Sequence, residues 1–233
     1  MLAGLGLVPS FAWLSFYLKK DTHPEPAYLI ARVFFVAILL APLAIVAQWI
    51  FSRLGSSVSA AFSTSDSILF FVVAAFIEEY VKYMAVKYTV LHNNEFDEPI
   101  DAMIYMIVAG LGFAAIENIL VMFQAIDQGL VVALQIWSLR FAGATLLHAL
   151  SSAIVGYFLA MSWFYSHHSK KLITIGLLLA TFFHATFNII ILTHSASSLG
   201  IIYLIGLLVI MAMLISILFA KINKRALSTT SFS

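Results

Sequence analysis

The chain reads as an all-α protein, a polytopic transmembrane helical bundle of about seven spans. Two observations lead there. Of its 233 residues, 63% are hydrophobic and 10% charged, with a mean hydropathy of +1.03; soluble domains run nearer about 45–50% apolar and about 25% charged. The apolar residues also gather into successive runs close to the roughly 20 residues needed to cross a bilayer. No repeat, domain boundary or low-complexity tract interrupts the series.

Taken in order, the expected spans are 2–18, 28–51, 66–91, 101–124, 139–164, 172–194 and 199–221. The first is short and contains Pro9. Lys19 and Lys20 follow it, whereas a cleaved signal peptide carries its basic flank ahead, so the segment reads as a first crossing with its N-terminus outside. Residues 130–138 are apolar but too short to cross; they either lie at the interface or extend the fifth span. Residues 1–221 form one transmembrane domain, and 222–233 a short, frayed cytoplasmic tail.

Orientation follows from Lys and Arg. With the N-terminus outside, the inner side receives Lys19, Lys20, Arg32, Lys87, Lys170, Lys171, Lys221, Lys224 and Arg225, the outer side only Arg53 and Arg140. The C-terminus is therefore expected in the cytoplasm. The net charge of +1 and the lack of a basic cluster give no reason to expect a nucleic-acid partner. The absence of cysteine excludes disulfides, thiolate nucleophiles and Cys-ligated metals.

Against this background, Phe76-Ile77-Glu78-Glu79-Tyr80-Val81-Lys82 stands out. Two carboxylates and an ammonium lie mid-span, where a charge costs about 2.5–3.5 kcal/mol on insertion scales. Such groups must face other helices, pair, or do chemistry. Partners exist: Glu117 and Asn118 in the fourth span, His148 in the fifth, His184 and Asn188 in the sixth. Counted from the outer ends at 1.5 Å per residue, these groups fall at depths of roughly 10–18 Å, a single layer. Glu78 and Lys82, spaced i, i+4, share a face and are expected to form an ion pair, with Glu79 about 100° away. His92, His167, His168 and His194 fall at span ends and read as solvated. Gly110, Gly112, Gly143 and Gly156 read as sites of close helix packing.

Imidazoles and carboxylates in one layer suit the activation of water. They can hold zinc with water in an open position, or a carboxylate can deprotonate water directly while His and Asn stabilise an oxyanion. Both routes end in amide hydrolysis. No His-Glu-x-x-His is present, Gly110-Leu111-Gly112-Phe113 has Phe where an aspartyl protease needs Asp, and no serine-nucleophile motif occurs. Two other classes remain: a proton- or ion-coupled transporter using the same layer, and a catalytically silent scaffold. No inverted repeat supports the transporter.

At these residues the sequence resembles the PrsW family of intramembrane proteases. Glu78-Glu79-Tyr80-Val81-Lys82 resembles its Glu-Glu-x-x-Lys motif, and Phe113-Ala114-Ala115-Ile116-Glu117-Asn118 its Phe-x-x-x-Glu-Asn motif. Arg140 with His148, and His184-Ala185-Thr186-Phe187-Asn188, resemble two further blocks. Asp21-Thr22-His23-Pro24-Glu25-Pro26 and Phe96-Asp97-Glu98-Pro99-Ile100-Asp101 with Tyr105 are similar to the connecting segments. Ala102 and Met106 stand where small glycines are expected, at positions read as packing. The family is similar in its motifs to the type II CAAX prenyl endopeptidases, which have His where Glu117 stands.

The resemblance implies a multi-pass protease of the bacterial inner membrane. Glu78 or Glu79 would activate water; Glu117, His148 and His184 would bind metal, zinc above all, or stabilise charge; Asn188 would serve an oxyanion site. Lys82, Asn118 and Arg140 would support them. Direct glutamate catalysis without metal is the alternative within this reading. The implied substrate is a single-span membrane protein, specifically an anti-sigma factor receiving its first cut in an envelope stress response.

Overall fold

One helix, Asp101–Ile126, is buried on every side from Asp101 to Ala115, and the other helices pack around it. The structure, a computed structural model, describes residues 2–20, 23–56, 67–194 and 197–230. In chain order the helices are α1 (Leu2–Leu18), α2 (Ala27–Ser56), α3 (Ile68–Thr89), α4 (Asp101–Ile126), α5 (Leu130–Leu139), α6 (Thr145–Phe164), α7 (Ser169–His194) and α8 (Ser198–Thr230). A π-helical turn, Arg140–Ala144, joins α5 to α6, and a 3-10 turn, Ser166–His168, precedes α7. No strand occurs among the described residues.

Five segments are long and apolar enough to cross a membrane: Ala27–Gly55, Asp101–Ile126, Leu130–Phe164, Ser166–His194 and Ser198–Arg225. Helix α1 is apolar but short. Helix α3 is 22 residues long and carries Glu78, Glu79, Lys82 and Lys87. With α5, the π turn and α6 taken as one segment, seven helical segments fall on the seven expected ones, five of them long and apolar enough to cross. Residues 130–138 extend the fifth span, because the chain stays helical through the π turn instead of breaking at Arg140.

The last helix also runs further than expected, from 198 to 230 rather than fraying after 221. Contacts with the end of α6 account for this. Lys221 lies over the Tyr157 ring, and the Arg225 guanidinium lies 4.6 Å from the Phe164 ring centroid while donating to the Tyr165 hydroxyl at 2.9 Å. Asp21, Thr22 and residues 231–233, to which the sequence reading also assigned roles, lie outside the described residues.

Helix α4 contacts α1, α2, α3, α5 and α6; α7 closes the bundle against α3 and α6, and α8 lies outside α6 and α7. Small residues permit this density. A Cβ on Gly110 would come within 2.5 Å of the His148 carbonyl oxygen and of Ser152 Oγ, so α4 and α6 meet backbone to backbone beside the polar layer. Gly143 differs from its expected role: a Cβ there would meet only the Phe187 ring, at an ordinary 3.5 Å. Ala102 and Met106 are fully buried packing residues.

Candidate active site

The polar layer converges. Helix α3 supplies Glu78, Glu79 and Lys82; α4 supplies Glu117 and Asn118; the π turn supplies Arg140; α6 supplies His148; α7 supplies His184. These eight side chains form one connected network of hydrogen bonds and ion pairs, roughly 15 Å from the common end of α3, α4 and α7 at 1.5 Å per residue.

Glu79 is the hub. It is fully buried, and its Oε1 accepts from Lys82 Nζ at 2.7 Å, from Ser151 Oγ at 2.9 Å and from His184 Nδ1 at 2.8 Å; Ser152 Oγ lies 3.5 Å from Oε2. The ion pair is therefore Glu79–Lys82, at i, i+3, and not the Glu78–Lys82 pair expected at i, i+4. Either spacing keeps two side chains on one face. The neighbours decide: Glu79 and Lys82 turn inward to α6 and α7, and the 100° step sends Glu78 toward α2. A pair with no exposure is costly to desolvate and costlier to break, about 3–5 kcal/mol for removing one partner. The serines, the histidine and the Phe113 ring, 4.9 Å from Lys82 Nζ, complete the shell that makes burial tolerable.

Lys82 also reaches His148 Nδ1 at 2.8 Å, while His148 Nε2 lies 3.0 Å from Glu117 Oε2. An ammonium only donates, so Nδ1 accepts and Nε2–H donates to Glu117. Arg140 holds Glu117 from behind: Nη2 reaches Oε2 at 3.1 Å, and Nε reaches Asn118 Oδ1 at 2.6 Å; Asn118 in turn donates to Thr145 Oγ1 at 2.9 Å. Arg140, counted among the outer-side cations and named as a supporting residue, is an inward-facing member of the network, 20% exposed.

Glu78 is the opposite of Glu79. Gln48 of α2 donates to its Oε1 at 3.1 Å, but its buried Oε2 has no hydrogen-bond partner among the described residues. His184 Nε2 lies 3.5 Å from that oxygen. His184 Nδ1 is engaged by Glu79, which leaves Nε2 as the ring nitrogen facing Glu78. The His148 and His184 rings meet edge to face, 4.9 Å between centroids. One ligand atom each from Glu78, His148 and His184 lies within 4.8 Å of the others.

This trio fits a metal in donor type. Two ligand atoms bound tetrahedrally at about 2.1 Å lie roughly 3.4 Å apart, close to the 3.5 Å between Glu78 and His184. His184 has the carboxylate-backed imidazole common at zinc sites. Among the residues expected to hold metal, His148 and His184 belong to the trio, whereas Glu117 stands beside His148 and Glu78 is the third donor. Asn188, one helical turn after His184, is half-buried and makes no hydrogen bond among the described residues. His92, His167, His168 and His194 are exposed, as read from their positions.

Gln48, Thr145, Ser151 and Ser152 belong to the site without having been singled out from sequence. Gln48 falls only about 4.5 Å below the outer end of the expected span 28–51 at 1.5 Å per residue, and it reaches the depth of the layer because α2 runs on to Ser56. The hydroxyls carry no signal, since Ser and Thr are common in membrane helices.

A family model described as PrsW family intramembrane metalloprotease matches residues 25–216, which contain the whole network. The chain belongs to the PrsW family. Among curated proteins it is similar to Protease PrsW of Oceanobacillus iheyensis, 32% identical over 197 residues, covering 83% of this chain and 84% of that protein. It is also similar to Protease PrsW of Geobacillus kaustophilus, 31% identical over 192 residues and covering 82% and 80%, and to that of Bacillus subtilis, 28% identical over 189 residues and covering 80% of each. No solved structure matches it. The chain is an intramembrane protease, and the transporter reading is not favoured.

Proposed function

We propose that this protease hydrolyses a peptide bond of a single-span membrane protein with a water molecule activated at Glu78. The observation that carries the reading is the buried Oε2 of Glu78, without a hydrogen-bond partner among the described residues and 3.5 Å from His184 Nε2. Glu78 takes a proton from the attacking water as the carbon–oxygen bond forms. The proton passes to the leaving nitrogen as the carbon–nitrogen bond breaks. Glu79 fixes the tautomer and orientation of His184. Arg140 and Asn118 hold Glu117 against His148. Asn188, with its amide unengaged, is the candidate donor to the oxyanion.

Where zinc is bound, Glu78, His148 and His184 would hold it, Glu78 serving as ligand in place of base, and the metal would supply Lewis acidity and lower the pKa of water. His184 is already set for this role. His148 is not, because both of its ring nitrogens are engaged, Nδ1 by Lys82 and Nε2 by Glu117, so one of these contacts must be given up on loading.

The N-terminus lies outside and the C-terminus in the cytoplasm of the bacterial inner membrane, a reading supported by the Lys and Arg asymmetry of the helix ends. The layer then sits in the outer half of the membrane, suited to a first cut near the outer face. The substrate class we infer from the family resemblance is a membrane-bound anti-sigma factor.

The test is cleavage of a single-span anti-sigma factor by purified protein in proteoliposomes. Expected are loss of cleavage with a zinc chelator and recovery with zinc. Cleavage insensitive to chelation would overturn the metal and leave direct glutamate catalysis. Absence of any cleavage, with ion flux that depends on Glu117, would overturn the proposal.

A further inference from the structure

Helix α2 faces the hydrocarbon over much of its surface, with Leu39, Leu43, Val46, Trp49 and Ile50 all exposed. Its opposite face is a row of buried alanines, Ala37, Ala41 and Ala44. The row continues by one helical step to Gln48. Small side chains let α2 approach closely: a Cβ on Gly112 of α4 would strike the Phe34 carbonyl, and Ala41 and Ala44 pack with Phe113 against Ile77 and Val81 of α3. Close approach at the alanines delivers a long polar side chain at the next position to α3. An amide in hydrocarbon needs a partner, and the partner here is Glu78, at 3.1 Å.

We infer that Gln48 is a positioning residue for Glu78. The inference rests on the proposed role of Glu78 and goes beyond it. By donating to Oε1, Gln48 holds the carboxylate so that Oε2 faces His184 instead of rotating toward α2. The two oxygens are thereby divided, one for orientation and one for chemistry. Glu79 receives no such contact and needs none, since Lys82, Ser151 and His184 already hold it.

Gln48→Met tests this, because it keeps side-chain length, removes the donor and favours insertion. Expected are a fall in kcat of about tenfold or more with KM within about twofold, and zinc affinity of the purified protein weakened about tenfold by chelator competition, the range typical of residues that orient ligands. A helix-packing role would leave zinc affinity unchanged. Gln48→Leu, shorter and also without a donor, is expected to reproduce both effects. If Gln48→Met retains native kcat and zinc affinity while Glu78→Ala is inactive, the positioning role is overturned and the reading of Glu78 survives. If Glu78→Ala still cleaves, both fall.

Discussion

Helix α4 carries a buried carboxylate near its N-terminus and a partly buried one toward its C-terminus, and they are satisfied in different ways. Asp101, near the start, is 1% exposed and accepts from the backbone N–H groups of Asp97 at 3.0 Å and Glu98 at 2.8 Å, both within four residues. Close by, the Tyr105 hydroxyl donates to Glu25, and Phe96 packs on the Tyr105 ring. This end organises a connection between helices. Glu117, toward the other end, meets Arg140 and His148 from the π turn and α6, and the network beyond it reaches α3 and α7. Backbone donors of the preceding turn hold Asp101; side chains distant in sequence hold Glu117, and one carboxylate oxygen in their network, Glu78 Oε2, has no hydrogen-bond partner among the described residues. Burial of a charge therefore does not mark a reactive site. Convergence from several helices on an incompletely satisfied group does.

The largest effect should come from His184→Ala, which removes the imidazole facing Glu78 and a hydrogen-bond donor to Glu79. Cleavage in proteoliposomes is expected to fall by about 10²–10⁴-fold, the range for loss of a positioned acid–base or ligand group, with insertion unchanged. Next is Glu79→Ala, which strands Lys82 in the core. It should cost about 3–5 kcal/mol in detergent unfolding and lower cleavage about 10–100-fold, the range for loss of a group that orients a ligand. Combining Glu79→Leu with Lys82→Met should restore most of that stability without restoring activity, separating the structural duty of the pair from its orientation of His184. Recovery of cleavage in the double variant would remove Glu79 from the account.

At the opposite end, Asp101→Ala should cost about 1–3 kcal/mol by orphaning two backbone donors, while the folded fraction cleaves at the native rate. Should Asp101→Ala reduce kcat as strongly as His184→Ala, the distinction between the two ends would collapse. The smallest effect expected is Gly143→Ala, within about 0.5 kcal/mol by thermal unfolding, since its Cβ would find ordinary contact.

Much of the fold was legible because bilayer thickness sets run length and charges interrupt the runs. Two boundaries were not. Residues 130–138 are too short to span alone, and nothing in their pattern announces that Arg140 will turn inward on a π turn and carry the helix through. The extension of α8 to Thr230 depends on Arg225 finding Phe164 and Tyr165, a tertiary contact. In the site, depth counting found the layer and its ionisable members, since charge in hydrocarbon is conspicuous. The face of each helix was harder to read. Glu78 and Glu79 are both within one turn of Lys82, so spacing alone could not assign the pair; the serines of α6 decided it. Gln48, uncharged, escaped the count that found the acids.

The most direct measurement is the initial rate at which purified protein in proteoliposomes cleaves a single-span substrate, native chain against Glu78→Gln. The substitution keeps the size of the side chain and the acceptor facing Gln48 but removes the carboxylate that faces His184. The account predicts a loss of at least about a hundredfold with unfolding temperature little changed. A Glu78→Gln protein that cleaves at the native rate would contradict it.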